Sequence, residues 1–309
     1  MVNPFAQRDV LLVGAGAALT YLAARAAGWK RPAGGIVLVA VAFGGLIATG
    51  NAAWSLGLAL ASLLASGWLA AAGAAWPGAW TLLLGAVLLA FGPGGAPGPL
   101  WLRLTVVALT PLVAAALDSF DRRRGSVALP LLAIAAAGAY GTEPDTEQTL
   151  VVLGALAGVC AAGWWLRAGI GRVATPAVAG LIVWTFAVDG RGRHSSIVAA
   201  IGCLGVLLAE PVAAALIAAR RKRWREFNRW YWLVILALFQ AGIVLISHAA
   251  GIRTSLGWAL EAVAATLAAT VAVLYAAGVA GLLALPVLRD RAPGGALDLT
   301  GEAGTTRCP

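Results

Sequence analysis

The segment "AYGTEPDTEQTL", residues 139–150, brings Glu143, Asp145 and Glu147 within five positions of a 309-residue chain that has only 13 Asp and Glu. Carboxylates so close together can move a proton, hold a cation, or sit at the positive end of a helix dipole. Thr142 and Asp145 fit the S/T-x-x-D/E form of a capping box, and Pro144 suits a first turn. A helix start therefore accounts for part of the cluster. A cap needs fewer acids than three, and the excess leaves chemistry open.

A second constellation, "VDGRGRHSS" at 188–196, spaces Asp189, Arg191, Arg193 and His194 with two glycines. Guanidinium forks suit planar oxyanions such as phosphate or carboxylate, and His194 beside carboxylates suits acid–base work. The plainer alternative is a solvated turn whose arginines pair with Asp189 or with the acidic loop. Third comes Glu210, followed by Pro211 in "LLAEPVAAAL". An acid at the kink that a proline makes in an apolar helix is a common form for a proton- or cation-binding position. Its alternative is a protonated Glu bonded to a neighbouring helix, or one near enough to water to be solvated. Glu261 and Arg103 fall at similar depths in two further apolar runs and suit a buried ion pair. Gln240, His248 and Asn51 read as interhelical hydrogen-bonding groups.

The elements that carry these residues are apolar helices. Hydrophobic residues make up 61% of the chain and charged ones 11%, with a mean hydropathy of +0.88. A soluble domain needs far more polar surface than that. Continuous Leu-, Ala-, Val- and Gly-rich runs, without the alternation of barrel strands, predict an all-α polytopic membrane bundle. The spans read as 10–27, 33–50, 53–75, 77–92, 99–118, 126–140, 147–166, 174–188, 195–219, 231–250 and 255–287, about eleven in all, within a range of ten to twelve. The weakest boundaries are the split at Trp76–Pro77–Gly78 and the last run, long enough for a tilt or a second pass. Residues 1–289 read as one transmembrane domain and 290–309 as a disordered cytoplasmic tail. Nothing in "MVNPFAQRD" has the form of a cleavable signal peptide.

Orientation follows from Lys and Arg. With "RRKRWREFNRW" at 220–230 in the cytoplasm, only Arg8, Arg103, Arg191, Arg193 and Arg253 of the 22 basic residues fall outside. The N-terminus is then outside, the C-terminus inside, and the loops 141–147 and 188–196 share the outer face. Trp224, Phe227 and Trp230 recur every three residues, so a short interfacial helix would set them on one side. Arg220, Arg221, Lys222, Arg223, Arg225 and Arg229 would then meet anionic headgroups. The pI near 10.5 reflects that asymmetry and not a nucleic-acid surface.

Other signals are bland. Three cysteines imply no disulfide framework, no cluster has metal-ligand spacing, and no P-loop, GxSxG or HExxH occurs, so neither metal nor cofactor is expected. "GALAG" at 154–158 places two small residues on one helix face, as expected by chance among 39 glycines. "SLGLAL" at 55–60 and "SLGWAL" at 255–260 match closely, each after an outer turn, without amounting to a repeat. "EPVAAALIA" at 210–218 resembles a Glu-Pro-Val helix of the drug/metabolite transporter superfamily over nine residues. That superfamily's ten-helix chains end soon after that helix, whereas two more spans follow here, so the likeness is not adopted.

Three function classes stay open. The first is a plasma-membrane transporter or flippase of a small solute or lipid-linked envelope intermediate. The second is a membrane enzyme or binding protein acting on an anionic lipid carrier at the outer face. The third is a non-catalytic scaffold of a cell-envelope complex, with a membrane-protein partner. Alanine-, glycine- and arginine-rich usage leans toward a GC-rich bacterial source.

Overall fold

A computed structural model describes residues 4–28, 33–50, 53–96, 98–124, 131–134, 147–166, 169–189, 194–220, 225–227, 231–253, 257–283 and 288–290. Apart from two three-residue strands, its regular structure is helical. In order come α1 (Pro4–Ala26), α2 (Ala33–Ala48), α3 (Trp54–Ala71), α4 (Ala75–Phe91), α5 (Leu100–Arg124) and α6, described at 131–134. They are followed by α7 (Glu147–Leu166), α8 (Thr175–Asp189), α9 (His194–Arg220), β1 (Arg225–Phe227), α10 (Tyr231–Arg253), α11 (Gly257–Val279) and β2 (Leu288–Asp290).

Among the described residues, four helices are long and apolar enough to cross a membrane, within α3, α5, α9 and α11. At most half of each such window is buried inside the bundle. The remainder turns Leu58, Leu104, Leu112, Val263 and Leu267 outward, along with Leu11 and Leu19 of α1 and Phe239 of α10. Hydroxyls on these helices bond back into their own turn: Thr20 to the Gly16 carbonyl, Thr105 to Trp101, Thr266 to Ala262 and Thr270 to Thr266. Such back-bonding removes the cost of turning a hydroxyl toward an apolar solvent. The outward Trp residues sort by level, with Trp54 and Trp101 at one end of the bundle and Trp68, Trp76 and Trp80 at the other. Trp54 and Trp68 lie about 21 Å apart along α3.

α8 is the central helix. Residues 177–187, "AVAGLIVWTFA", are buried without exception, which its apolar circumference requires. It packs against α3, α5 and α9, and Gly180 leaves room for Leu63 and Leu89. α1 lies on α7, where Gly14 meets the glycines of "GALAG": a Cβ on Gly158 would fall on the Gly14 carbonyl, and one on Gly14 would fall 3.1 Å from the Gly154 carbonyl. The GxxxG that chance alone could explain is thus a real contact face.

Two helix ends are fixed by glycines with positive φ. Gly73 (φ 86) closes α3, with the Ala74 N–H on the Leu69 carbonyl at 2.9 Å. Gly281 (φ 68) closes α11, with the Leu282 N–H on the Ala277 carbonyl at 2.8 Å. Both form the six-to-one bond that satisfies a last-turn carbonyl. These stops correct two boundaries read from the sequence. The break between α3 and α4 lies at Ala72–Ala74, and Pro77 sits in the first turn of α4, where its missing N–H costs nothing. α11 ends at Val279 and not at residue 287.

β1 and β2 pair antiparallel, Arg225 with Asp290 and Phe227 with Leu288. This corrects the interfacial helix expected from the spacing of Trp224, Phe227 and Trp230. So short a segment is a poor helix nucleus, and β2 offers it backbone partners instead. Asp290, assigned to the tail, is the last residue of β2. The pairing also returns the chain after α11 to the end of the bundle where α9 finishes.

At that same end the α7–α8 connection is clamped. Asp121 of α5 accepts the Ile170 N–H at 2.9 Å and the Gly171 N–H at 3.1 Å. The Ile170 carbonyl accepts the Gly35 N–H of α2 at 2.9 Å. Gly34, Gly35, Gly67 and Gly169 have no room for a Cβ against this segment or Asp121. Arg172 stands 3.9 Å from Asp118, a loose and partly exposed pair of small energetic value.

Candidate functional site

Among the described residues, the two buried polar side chains that are neither Ser nor Thr, Glu210 and Gln240, lie where α9, α10 and α11 meet. α10 packs against both α9 and α11, and α9 and α11 touch each other. Gln240 of α10 is fully buried. Its Oε1 accepts the Val206 N–H of α9 at 3.1 Å, and its Nε2 donates to the Ala268 carbonyl of α11 at 3.0 Å. Gly205 makes the space, since a Cβ there would lie 2.8 Å from Nε2. An uncharged amide thus ties the backbones of three helices.

One turn further along α9, about 6 Å, Glu210 is also fully buried. The Tyr275 hydroxyl of α11 donates to its Oε1 at 2.8 Å. Residue 206 is level with 268, and 210 with 275, so α9 and α11 run parallel with α10 antiparallel between them. Pro211 follows the acid inside α9 and has no N–H to give the Leu207 carbonyl. The backbone ladder of α9 is therefore modified on both sides of Leu208–Glu210: by the Gln240 amide at Val206 and by the proline at 211. α9 nonetheless runs as one helix through both positions, from His194 to Arg220.

Tyr275 was not singled out from the sequence. The signal was present: a tyrosine inside an apolar span, "AVLYAAG", needs a partner for its O–H. Gln240, read as an interhelical hydrogen-bonding group, acts as one. Arg103 lies half-buried in the first turn of α5, its guanidinium carbon 5.8 Å from the Phe91 ring centroid of α4. A cation over an aromatic face is a modest attraction. The side chain of Glu261 lies outside the described residues, and with it the expected pairing to Arg103. α5 packs on α4, α8 and α9, whereas α11 packs on α9 and α10.

The acidic and arginine loops fall largely outside the described residues: 135–146, with Glu143 and Asp145, and 190–193, with Arg191 and Arg193. Glu147, Asp189 and His194 are described only in backbone, as the first residue of α7, the last of α8 and the first of α9. The short α7–α8 connection brings Glu147 and Asp189 to one end of the bundle. α7 packs mainly on α1 and α2, and α8 on α5 and α3. Asn51 and the side chains of His248, Arg220, Arg221, Lys222, Arg223, Arg225 and Arg229 are likewise outside the described residues. No group of three metal-ligating side chains occurs among the described residues.

Compared with known protein families, curated proteins and solved structures, the chain matches none.

Proposed function

We propose that this chain is a multi-pass transporter of the plasma membrane, moving a small solute or a lipid-linked envelope intermediate, with Glu210 as its proton-carrying group. The observation that carries the reading is the Glu210–Tyr275 hydrogen bond, buried between two parallel apolar helices and next to Pro211 inside α9. In a dry bundle a carboxylate costs several kcal/mol more than the neutral acid, while a hydrogen bond to a charged group returns about 1.5–3 kcal/mol. A carboxyl in such a place changes its helix contacts when its proton comes or goes. Coupling of that kind is what a proton-driven carrier needs.

The alternation of helix ends that an eleven-span topology requires draws support from contacts at those ends, while its orientation, N-terminus outside and C-terminus inside, rests on the Lys and Arg asymmetry. Ser55 at the start of α3 bonds the Pro93 carbonyl after α4, and Trp184 Nε1 reaches the Gly94 carbonyl at 3.4 Å. Asp121 with Ile170 and Gly171, and β1 with β2, gather the opposite set of ends. In this reading the basic segment 220–229 faces the cytoplasm and its anionic headgroups.

The test is proton flux in proteoliposomes carrying an internal pH dye, challenged with a panel of small solutes and polyprenyl-phosphate-linked sugars. Wild type is expected to acidify or alkalinise the lumen with one class of solute. Glu210→Gln is expected to lose at least about tenfold of that rate, equal to about 1.4 kcal/mol, while eluting as wild type on size exclusion. Undiminished flux in the folded variant overturns the reading.

A further inference from the structure

Arg103 is the single charged residue between Pro32 and Leu117. α3 and α4 carry no charge, the loop 92–99 carries none, and the first turn of α5 has no acidic residue. We infer that Arg103, held against Phe91 where α4 ends and α5 begins, binds the phosphate of an anionic phospholipid. Of its three nitrogens only Nε is both buried and without a partner. The Nη end of the fork therefore reaches the surface of a partly exposed residue. Among the described residues no carboxylate lies within ion-pair reach of it. The Phe91 ring, 5.8 Å from the guanidinium carbon, attracts the face of the cation and uses none of its N–H donors. This place is separate from the buried acid: Arg103 lies about 5 Å into α5, whereas Glu210 lies about 24 Å along α9 from His194.

Depth and charge choose the occupant. Trp101 stands on the same turn as Arg103, and Trp54, Phe91 and Leu100 are exposed at the same end of the bundle. Aromatic side chains of this kind sit at the headgroup level. An arginine just below that level extends its charged end toward the interface, and in a helix it leans toward the N-terminus, here the headgroup side. A guanidinium fork gives phosphate oxygens paired hydrogen bonds. An amine-bearing headgroup would also need a carboxylate for its ammonium, and the acid-free stretch from Pro32 to Leu117 offers none. A headgroup whose one charge is its phosphodiester matches this lone cation. The elements packed on α5 are α4, α8 and α9. Asp118 and Asp121 of α5 itself lie at least about 22 Å along the helix. Asp189 and His194, at the near ends of α8 and α9, have side chains outside the described residues.

The experiment is photo-crosslinking of the full chain in bilayers, with p-benzoylphenylalanine in place of Leu100. That position is exposed and three residues before Arg103 on the same helix face. The bilayers are phosphatidylcholine with equal minor shares of phosphatidylglycerol, phosphatidylethanolamine and diacylglycerol of matched chains, and adduct masses report the lipid class. Adducts at 100 are expected to be enriched severalfold in phosphatidylglycerol over its bilayer share. Arg103→Gln should return them to that share, and Phe91→Leu, which keeps the charge and loses the ring, should lower the enrichment in part. The same probe in place of Leu112, exposed further along α5, should follow the bilayer share in every variant. Excess inorganic phosphate and Asp189→Asn are each expected to leave the pattern at 100 unchanged. No enrichment in wild type, enrichment that survives Arg103→Gln, or displacement by inorganic phosphate overturns the site. So does a severalfold rise in Asp189→Asn, which would make that carboxylate the partner of Arg103. Should Arg103→Gln fail to assemble, Phe91→Leu decides, and enrichment equal to wild type overturns the proposal.

Discussion

Replacing Gly158 by valine is expected to remove the folded protein from the membrane fraction almost completely. The place of a Cβ on Gly158 is occupied by the backbone carbonyl of Gly14 and approached to 2.9 Å by the Ala17 Cβ. Overpacking costs about 1–3 kcal/mol where side chains can yield. Here two helix backbones would have to part, and Gly154 one turn away meets the same helix. The loss therefore exceeds about 3 kcal/mol, a large share of the roughly 5–15 kcal/mol that holds a typical domain. The readout is the yield of monodisperse protein after mild solubilisation and its thermal midpoint by tryptophan fluorescence. Gly16→Ala, on the partner helix α1, is the control, because nothing lies within 4 Å of a Cβ there. It is expected to be neutral or to gain up to about 1 kcal/mol from helix propensity. Equal yields for the two variants would contradict the α1–α7 contact.

Asp121→Ala ranks next. It removes the acceptor of two backbone N–H groups, Ile170 and Gly171, in a segment wedged against Gly34, Gly35 and Gly67. Hydrogen bonds to charged groups contribute about 1.5–3 kcal/mol each, and the stranded amides have little room to find others. A loss of about 2–5 kcal/mol is expected, with Asp121→Asn intermediate because its amide offers one oxygen in place of two. Faster proteolysis between α7 and α8 should accompany the lower midpoint. An Asp121→Ala protein as stable as wild type would contradict the clamp.

Much of the scaffold was legible because burial in an apolar medium leaves a coarse mark. Runs of about twenty apolar residues bounded by Gly, Pro and Arg located most helix ends closely. α1, however, begins at Pro4 and not at residue 10, and α5 runs on to Arg124 and not to residue 118, because the polar residues at those ends are compatible with helix without being apolar. The misplaced boundaries at α4 and α11 turn on backbone geometry: Gly73 and Gly281 adopt a left-handed conformation that many other glycines in the chain do not. Composition cannot tell these apart. Glu210 stood out because an acid amid "GCLGVLLAEPVAAAL" is costly unless it has a use. Its partner did not, because Tyr275 is 65 residues away and becomes a neighbour only when α9 and α11 pack in parallel across α10. Asp121 was hidden for the same reason, its partners lying 49 and 50 residues on. The strand pairing of Arg225–Phe227 with Leu288–Asp290 likewise depends on a partner that local periodicity does not see. The acidic and arginine loops, legible as residue types, lie mostly outside the described residues, and their chemistry rests on sequence alone.

The central claim is that Glu210 exchanges a proton inside the bundle. Infrared difference spectroscopy of the protein in hydrated bilayers, perfused alternately with acidic and alkaline buffer, reads it directly. The carbonyl stretch of a protonated carboxyl should vanish on the alkaline side in wild type. That band should be missing from the Glu210→Gln difference spectrum and displaced in Tyr275→Phe, where its hydrogen bond is gone. Identical difference spectra for wild type and Glu210→Gln would mean that this carboxyl does not titrate, and the account of α9–α11 as a proton-coupled unit would fall.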